Sequence, residues 1–462
     1  MRYAFNVPHP RSSALRALNY SPYVEAFRKR RDRLHSCRLS ELLQSMGQAY
    51  GQVFTRHDCH PDHGVELVSQ TDMFGAEPSG RVIRIDSMPN PEKHRIRRWQ
   101  ILIAAAGTLG ETDLFGRSII ADARLVDKFV GPHAMVLNFS ESGGEDNLYV
   151  YAFLCTRFGV QAVRSASYGT KILGVRKDIL SDLPIPLPDE ATKKHVAQLI
   201  RQAVEGRERY LVNVLAARKQ IEELPDVTEA RAMCEERKAH CIVRNGNLPT
   251  LQAWTYASTG GALEFLQKKW SGRLSDVLKP DGVFNGPRFA RVLCQAPYGV
   301  DFLSQRHVFL MRPVLRRIAS PGVPDRLLFV PEGSLLVGGR GTLGEGEIFG
   351  RILYVTKDLA EVACTEDLLR VQPKDKFSAI TYSFLSTVVG FRLLRSTAVG
   401  TKILKMRPDL LRDLPFPDCD SETTRKINQH LDSAMSAREE ANRAEHQAIR
   451  ILEEEVLPAW LT

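Results

Sequence analysis

The sequence predicts an α/β (α+β) protein built by duplication: two strand-rich domains in tandem, each followed by a long helix, the two helices packing on each other as an antiparallel coiled coil. Three observations predict it. Two pairs of motifs recur in the same order at an offset of 231–235 residues. Short apolar runs bounded by Gly, Pro and Asp precede each second motif. A long segment of 3-4 apolar spacing follows it.

The repeat is direct. Residues 107–117 read GTLGETDLFGR and residues 341–351 read GTLGEGEIFGR. Residues 165–189 read SASYGTKILGVRKDILSDLPIPLPD, and residues 396–418 read STAVGTKILKMRPDLLRDLPFPD. Fainter echoes precede these. Arg38-Leu39-Ser40-Glu41-Leu42-Leu43 matches Arg273-Leu274-Ser275-Asp276-Val277-Leu278, and Gly64-Val65 with Ser69-Gln70 matches Gly299-Val300 with Ser304-Gln305. Matches held in register across most of a chain mean that one supersecondary unit was copied with its pseudo-twofold relation intact.

In chain order, residues 1–37 read as a helical lead-in. Residues 38–188 form the first strand-rich domain, and residues 189–224 the first long helix. Residues 225–272 are a helical linker with an inserted helix near 226–241. Residues 273–418 form the second strand-rich domain, and residues 419–462 the second long helix. Strand candidates are Val82–Ile85, Ile101–Ile103, Met135–Leu137, Leu327–Val330 and Leu335–Val337. The first helix has Asp189 at its N-cap. Its seam is Ile200, Ala203, Tyr210, Val214, Ala217, Ile221 and Leu224, with Arg207 breaking the pattern. The second starts after Ser421 and carries Leu431, Ala434, Ala441, Ala448 and Leu452 on one stripe. With no other apolar partner in view, each is expected to pack on the other. A segment of about 36 residues makes a rod of ~54 Å.

Composition narrows the partner. The 462 residues carry a net charge of +9, with pI near 9.1, which favours a polyanion such as nucleic acid. The eight cysteines form no CxxC pair, as expected of small apolar residues in a reducing compartment. The N-terminal residues lack the apolar region of a signal peptide, and no window approaches 18 consecutive apolar residues. A cytoplasmic protein is expected.

Several catalytic readings fail on context. Gly339-Arg340-Gly341-Thr342-Leu343-Gly344 fits GxGxxG, but a dinucleotide site needs a helix next, and Glu345-Gly346-Glu347 starts one poorly and repels phosphate. Pro225-Asp226 with Glu236-Arg237-Lys238 mimics a nuclease motif, yet the stretch reads as one helix and keeps the carboxylates apart. His57, Cys59, His60 and His63 lack the second ligand pair that structural zinc wants. There is neither an Asp/Asn-Pro-Pro-Tyr/Phe methyltransferase tetrapeptide nor a GxxxxGK[ST] phosphate loop. No metal, cofactor or catalytic residue is therefore expected in this chain.

The twofold series of Gly107-Thr108-Leu109-Gly110, Gly169-Thr170-Lys171-Ile172-Leu173 and Leu183-Pro184-Ile185-Pro186, then Gly341-Thr342-Leu343-Gly344, Gly400-Thr401-Lys402-Ile403-Leu404 and Leu414-Pro415-Phe416-Pro417, each ending in a long helix, resembles the specificity subunits of type I restriction–modification systems. The resemblance covers about residues 38–224 and 273–460. Pro188-Asp189-Glu190-Ala191 and Pro417-Asp418-Cys419-Asp420 stand where that family carries Pro-Leu-x-Glu-Gln. That departure points to a divergent branch, such as the specificity-type subunit of a methylation-associated phage-defence system.

The resemblance implies that each strand-rich domain is a target-recognition domain reading half of a bipartite site in double-stranded DNA. It implies that the helices are spacer and dock for two copies of a DNA adenine methyltransferase, which brings S-adenosylmethionine. A nuclease or translocase subunit is a further implied partner. Residues 118–164 and 352–395 differ most between the copies, so an asymmetric site is expected. Candidate phosphate contacts are Lys93, Arg95, Arg97, Arg98, Arg117 and Lys171 in the first half, and Arg316, Arg317, Arg340, Arg351 and Lys402 in the second. Gly107, Gly110, Gly169, Gly341, Gly344 and Gly400 are expected to shape turns. Two other readings compete: a structural adaptor of a defence complex that does not read DNA, and a sequence-specific nuclease using residues 225–238.

Overall fold

The computed structural model describes residues 17–30, 34–48, 55–88, 90–110, 114–235, 252–257, 259, 261–344 and 346–461. The chain divides into two units, Met1–Glu208 with Glu440–Thr462, and Arg209–Glu439. Each holds one strand-rich domain and a part of both long helices.

In the first unit a four-stranded antiparallel sheet has the order Leu43–Gln48, Ala134–Phe139, Ile101–Ala104, Ser118–Ile120. In the second the order is Leu278–Asn285, Leu368–Pro373, Leu335–Gly338, Ile352–Tyr354. Element for element the two sheets are the same. The strands Ile101–Ala104 and Leu335–Gly338 are buried at every residue, which is why they read as unbroken apolar runs. A helix pair lies beside each sheet, Glu145–Cys155 with Arg157–Ser165 and Ser378–Leu385 with Val388–Ser396. Thr156 and Thr387 cap the second helix of each pair, accepting from the backbone N–H of Gly159 at 2.9 Å and of Gly390 at 3.0 Å.

A smaller sheet flanks each domain. Val65–Val68 pairs antiparallel with Arg81–Ile83 and parallel with Phe129–Val130. Val300–Leu303 does the same with Arg316–Ile318 and Ala363–Cys364. The strand expected at 327–330 is not one: Asp325–Leu328 is a helical turn, with Leu327 N–H donating to Pro324 O and Phe329 N–H to Asp325 O. A four-residue apolar run carries no periodicity that separates strand from helix, and the preceding Pro-Asp begins a turn.

The long helices span Glu190–Glu222 and Ser421–Ile451, the second continuing through one π-helical turn at Leu452–Val456. Within the second unit Tyr210 faces Arg438, whose guanidinium lies 5.7 Å from the ring centre, and Asn213 meets His430 at 3.3 Å. Advancing along one helix means retreating along the other, so they run antiparallel. The seams are continuous: Ile200, Ala203, Arg207, Tyr210, Val214, Ala217 and Ile221 are all buried, as are Leu431, Ala434, Arg438, Ala441, Glu445, Ala448 and Leu452. The breaks in the apolar stripe are charged residues that occupy heptad positions.

Asp189 and Asp420 cap the two helices, accepting the backbone N–H of Thr192 at 3.0 Å and of Thr423 at 2.7 Å. The Thr192 and Thr423 hydrogen bonds, backbone first and hydroxyl second at Asp189, hold both carboxyls below the ordinary value. A depressed carboxyl stabilises the fold above its unfolded pKa of roughly 3.9 and loses that contribution as pH falls through the folded value. Asparagine caps equally well without titrating. The double variant Asp189→Asn/Asp420→Asn is therefore expected to lose less melting temperature than the parent between about pH 5 and about pH 2. Equal losses in thermal melts would show that these caps do not contribute to the acid response.

No single described helix is long and apolar enough to cross a membrane. The bent pair Asp375–Leu385 and Val388–Ser396 approaches that composition because it is the buried core pair of the second domain.

Candidate nucleic-acid interface

The two sequence motifs of each copy meet in one small sheet. Ala106–Gly107 pairs with Leu173–Val175, which pairs with Ser167–Tyr168. Arg340–Gly341 pairs with Leu404–Met406, which pairs with Ala398–Val399. Each sheet thus places a Gly-Thr-Leu-Gly loop beside the tip of a Gly-Thr-Lys-Ile-Leu hairpin. The tips require their glycines. Gly169 has φ +101° and Gly400 φ +121°, and a Cβ would stand 2.3 Å from Ile172 O in one copy and 2.8 Å from Ile403 O in the other. Ile172 and Ile403 project into solvent with 68% and 56% of their surface exposed, with Lys171 and Lys402 exposed beside them.

Gly107 and Gly341 pack flat against an aromatic side chain. A Cβ on either would lie 3.1 Å from Phe115 Cβ or 3.0 Å from Phe349 Cβ. Gly110 is half-buried at the end of its loop, and Gly344 lies over the Glu347 side chain. Among the described residues no helix follows Gly344; the chain turns back through Phe349-Gly350, where Gly350 has φ +84°.

Two duplicated side chains hold each loop. Gln70 hydrogen-bonds both Ala106 O and Ala106 N–H, the latter at 3.3 Å. Gln305 donates to Arg340 O at 2.7 Å and accepts from Arg340 N–H at 3.2 Å. The amide acts as one more strand residue at the sheet edge, which is the role of the Ser-Gln echo. From the other side, Arg164 donates to Phe115 O at 2.8 Å. Arg395 donates to Phe349 O at 3.0 Å, Leu343 O at 2.8 Å and Gly344 O at 2.9 Å. Sequence reasoning missed both arginines, although each stands one residue before the repeated segments at Ser165 and Ser396.

The remaining candidates are dispersed. Lys93, Arg97 and Arg316 are exposed. Arg95 pairs with Glu92 at 2.9 Å and Asp127 at 3.5 Å, its guanidinium 5.1 Å from the Phe129 ring centre. Arg98 grips Glu208 of the first long helix at 2.7 Å and stacks on Trp99. Arg317 pairs with Asp301 at 3.0 Å, and Arg340 with Asp367 at 3.4 Å. Arg117 is half-buried, and Arg351 lies 4.5 Å from the Phe391 ring centre. Glu208 also accepts Ala123 N–H at 3.1 Å, and Glu439 accepts Lys357 N–H at 3.1 Å. One repeated glutamate therefore fastens each domain to a long helix. Of the nuclease-like stretch, Asp226 accepts from Trp270 Nε1 at 3.0 Å, while Glu236 and Lys238 lie outside the described residues. Among the described residues no three His, Cys, Asp or Glu side chains converge as a metal site.

The chain is similar to solved type I specificity subunits over nearly its whole length. The S subunit of the type I restriction–modification system from M. genitalium matches at 13% identity and TM-score 0.34, covering 93% of this chain and 96% of that one. The HsdS subunit from Thermoanaerobacter tengcongensis matches at 14% identity and TM-score 0.26, covering 92% and 96%. A structure described by complex assembly and conformational transition of the type I restriction–modification system matches at 14% and 0.28, covering 92% and 97%. No family model and no curated protein matches. With TM-scores this low, the functional reading rests on this chain's own duplicated elements.

Proposed function

We propose that this chain is a DNA-reading specificity subunit without a catalytic centre, directing a partner adenine methyltransferase to a bipartite, asymmetric site. The observation that carries the reading is the repeated assembly of loop, hairpin, bracketing glutamine and latching arginine, once in each unit. Such an assembly presents exposed lysine and isoleucine from a rigid base, and sites on rigid elements hold geometry best. Cationic tips position phosphates, while residues that differ between the copies give each half its own sequence. The long helices supply the spacer and the docking surface for methyltransferase subunits, two copies by the pseudo-twofold relation. S-adenosylmethionine belongs to that partner, and a nuclease or translocase joins the complex in a restricting system.

The test is adenine-methylation mapping by long-read sequencing in cells that carry this chain with its methyltransferase, and in cells lacking this chain alone. A bipartite motif that disappears with the chain is the expected result. Methylation that persists unchanged rejects the reading and leaves the adaptor role.

A further inference from the structure

A third duplicated element lies on the smaller sheet of each unit, where the sequence shows only the echo of Gly64-Val65 in Gly299-Val300. In the first unit Cys59 N–H donates to Val82 O at 3.3 Å, Arg84 N–H to His57 O at 3.0 Å, and His63 N–H to His60 O at 3.0 Å. In the second, Cys294 N–H donates to Arg317 O at 3.1 Å, Ala319 N–H to Val292 O at 2.8 Å, and Tyr298 N–H to Gln295 O at 3.1 Å. Every donor and acceptor corresponds at an offset of 235 residues. The bridges Asp58–Ile83 and Leu293–Ile318 correspond likewise. Both loops close on a glycine that admits no side chain. A Cβ on Gly64 would lie 2.4 Å from Cys59 Sγ and 2.6 Å from Ile83 O, and one on Gly299 would lie 2.5 Å from Cys294 Sγ and 2.1 Å from Ile318 O.

The backbone frame is thus the same twice, and what it presents is not. The first loop offers His57, Asp58, His60, Asp62 and His63; the second offers Val292, Leu293, Gln295, Pro297 and Tyr298 at the same places. Tyr298 is 76% exposed, Val292 61% and Leu293 60%. Soluble proteins seldom leave such neighbouring apolar side chains uncovered without a partner. The surrounding charge names the partner. Residues 286–320 contain six arginines and one acidic residue, against three arginines and five acidic residues in residues 51–85. Arg288 is exposed at 3.6 Å from Glu366, which also holds Arg291 at 2.7 Å. An apolar and aromatic tip carried on an arginine-rich segment fits a DNA groove, where thymine methyls take apolar contacts and arginine takes phosphate or guanine. A fixed frame carrying divergent tips is what two half-sites of different sequence require.

We propose that the loop Cys294–Gly299, with Val292 and Leu293 before it, contacts base edges, Tyr298 being a specificity determinant of its half-site. The inference rests on the proposed function and deepens it.

The test maps adenine methylation in cells expressing the complete complex with Tyr298→Ala or with Tyr298→His, beside cells lacking the chain. Each variant is expected to relax or change the base at one or two positions of a single half-site, with roughly ten- to a hundred-fold lost discrimination there. An unchanged motif in both variants overturns the assignment, as does complete loss of methylation in variants that melt with the parent. Loss of methyltransferase co-purification with the motif intact would make the face a protein dock and also overturns it. Methylation indifferent to the whole chain rejects the proposed function instead.

Discussion

Replacing Glu445 by alanine is expected to destabilise the first unit by about 3–5 kcal/mol, the range seen when one partner of a buried ion pair is removed. Glu445 is fully buried on the second long helix. It takes Arg207 of the first helix at 2.9 Å and the Tyr151 hydroxyl at 2.6 Å. Arg207 is 1% exposed, and Glu445 helps keep it protonated against the desolvation that burial imposes. Its Nε has no hydrogen-bond partner, so the cation depends on this carboxylate. Removing Glu445 strands a charge in a seam built largely of Ala, Ile, Leu and Val. Replacing both partners, Arg207→Leu with Glu445→Leu, is expected to recover most of the loss, because well-packed apolar residues need no desolvation. Urea unfolding of the three proteins checks the order. A Glu445→Ala protein as stable as the parent would sink the argument.

That pair also breaks the pseudo-symmetry in a useful way. Arg207 and Arg438 are counterparts in the repeat, both buried in the seam. Glu445 has Val214 as its counterpart, so only the first unit carries a carboxylate at that position. In the second unit Arg438 turns instead to the Tyr210 ring and to Leu310 O at 3.4 Å. A single charged pairing in a seam of small residues fixes helix register, since a one-heptad slip buries both charges unpaired.

The duplicated architecture was legible in the sequence because repetition leaves a register that local propensity does not. Gly107, Gly169, Gly341 and Gly400 stand in repeated strings: Gly169 and Gly400 have left-handed backbone with no room for a Cβ, and Gly107 and Gly341 lie close against Phe115 and Phe349. The helix seams were legible by heptad spacing, but Arg207 read as an exception because periodicity scores apolarity and not burial. A buried arginine needs its partner in space, and Glu445 lies 238 residues away. Leu224-Pro225 and Leu457-Pro458 follow the two long helices, each Pro starting a further helix, Pro225–Glu235 and Pro458–Leu461; the helix near 226 was legible in the sequence, but a likeness of two residues is too short to show it as a counterpart of the second. The same holds for Asn19 and Trp254. Their side chains donate to Ser167 O at 2.8 Å and Ala398 O at 3.2 Å, so different residue types perform one repeated task. Of the Cys-to-Gly loops the sequence shows only the repeated Gly64 and Gly299 and the matching Cys59 and Cys294, because the rest of the frame is made of backbone hydrogen bonds.

The second large effect is expected at Arg395. Its guanidinium lies 4.1 Å from the Phe391 ring centre and is 1% exposed. It donates to the buried Phe349 O and to Leu343 O and Gly344 O at the rim of the turn. Hydrogen bonds from a charged donor contribute about 1.5–3 kcal/mol each, though not additively, and a buried carbonyl left without a donor costs about 1–3 kcal/mol. Arg395→Met keeps an unbranched stem on Phe391 and removes every donor. A loss of roughly 3–5 kcal/mol follows, concentrated in the loop because its remaining ties, Gln305 on Arg340, the ladder of Arg340–Gly341 to Leu404–Met406 and the bond from Gly350 N–H to Gly338 O, hold only its ends. Hydrogen exchange of residues 341–350 is expected to accelerate far more than that of the strand Leu335–Gly338, whose ladder to Leu368–Pro373 is untouched. The functional consequence separates latch from scaffold. If the loop reads DNA, the Arg395 variant loses discrimination in one half of the methylated motif, and Arg164→Met, acting on Phe115 O, loses it in the other. Uniform loss across both halves would mean that these arginines hold the whole unit together and not the reading loop.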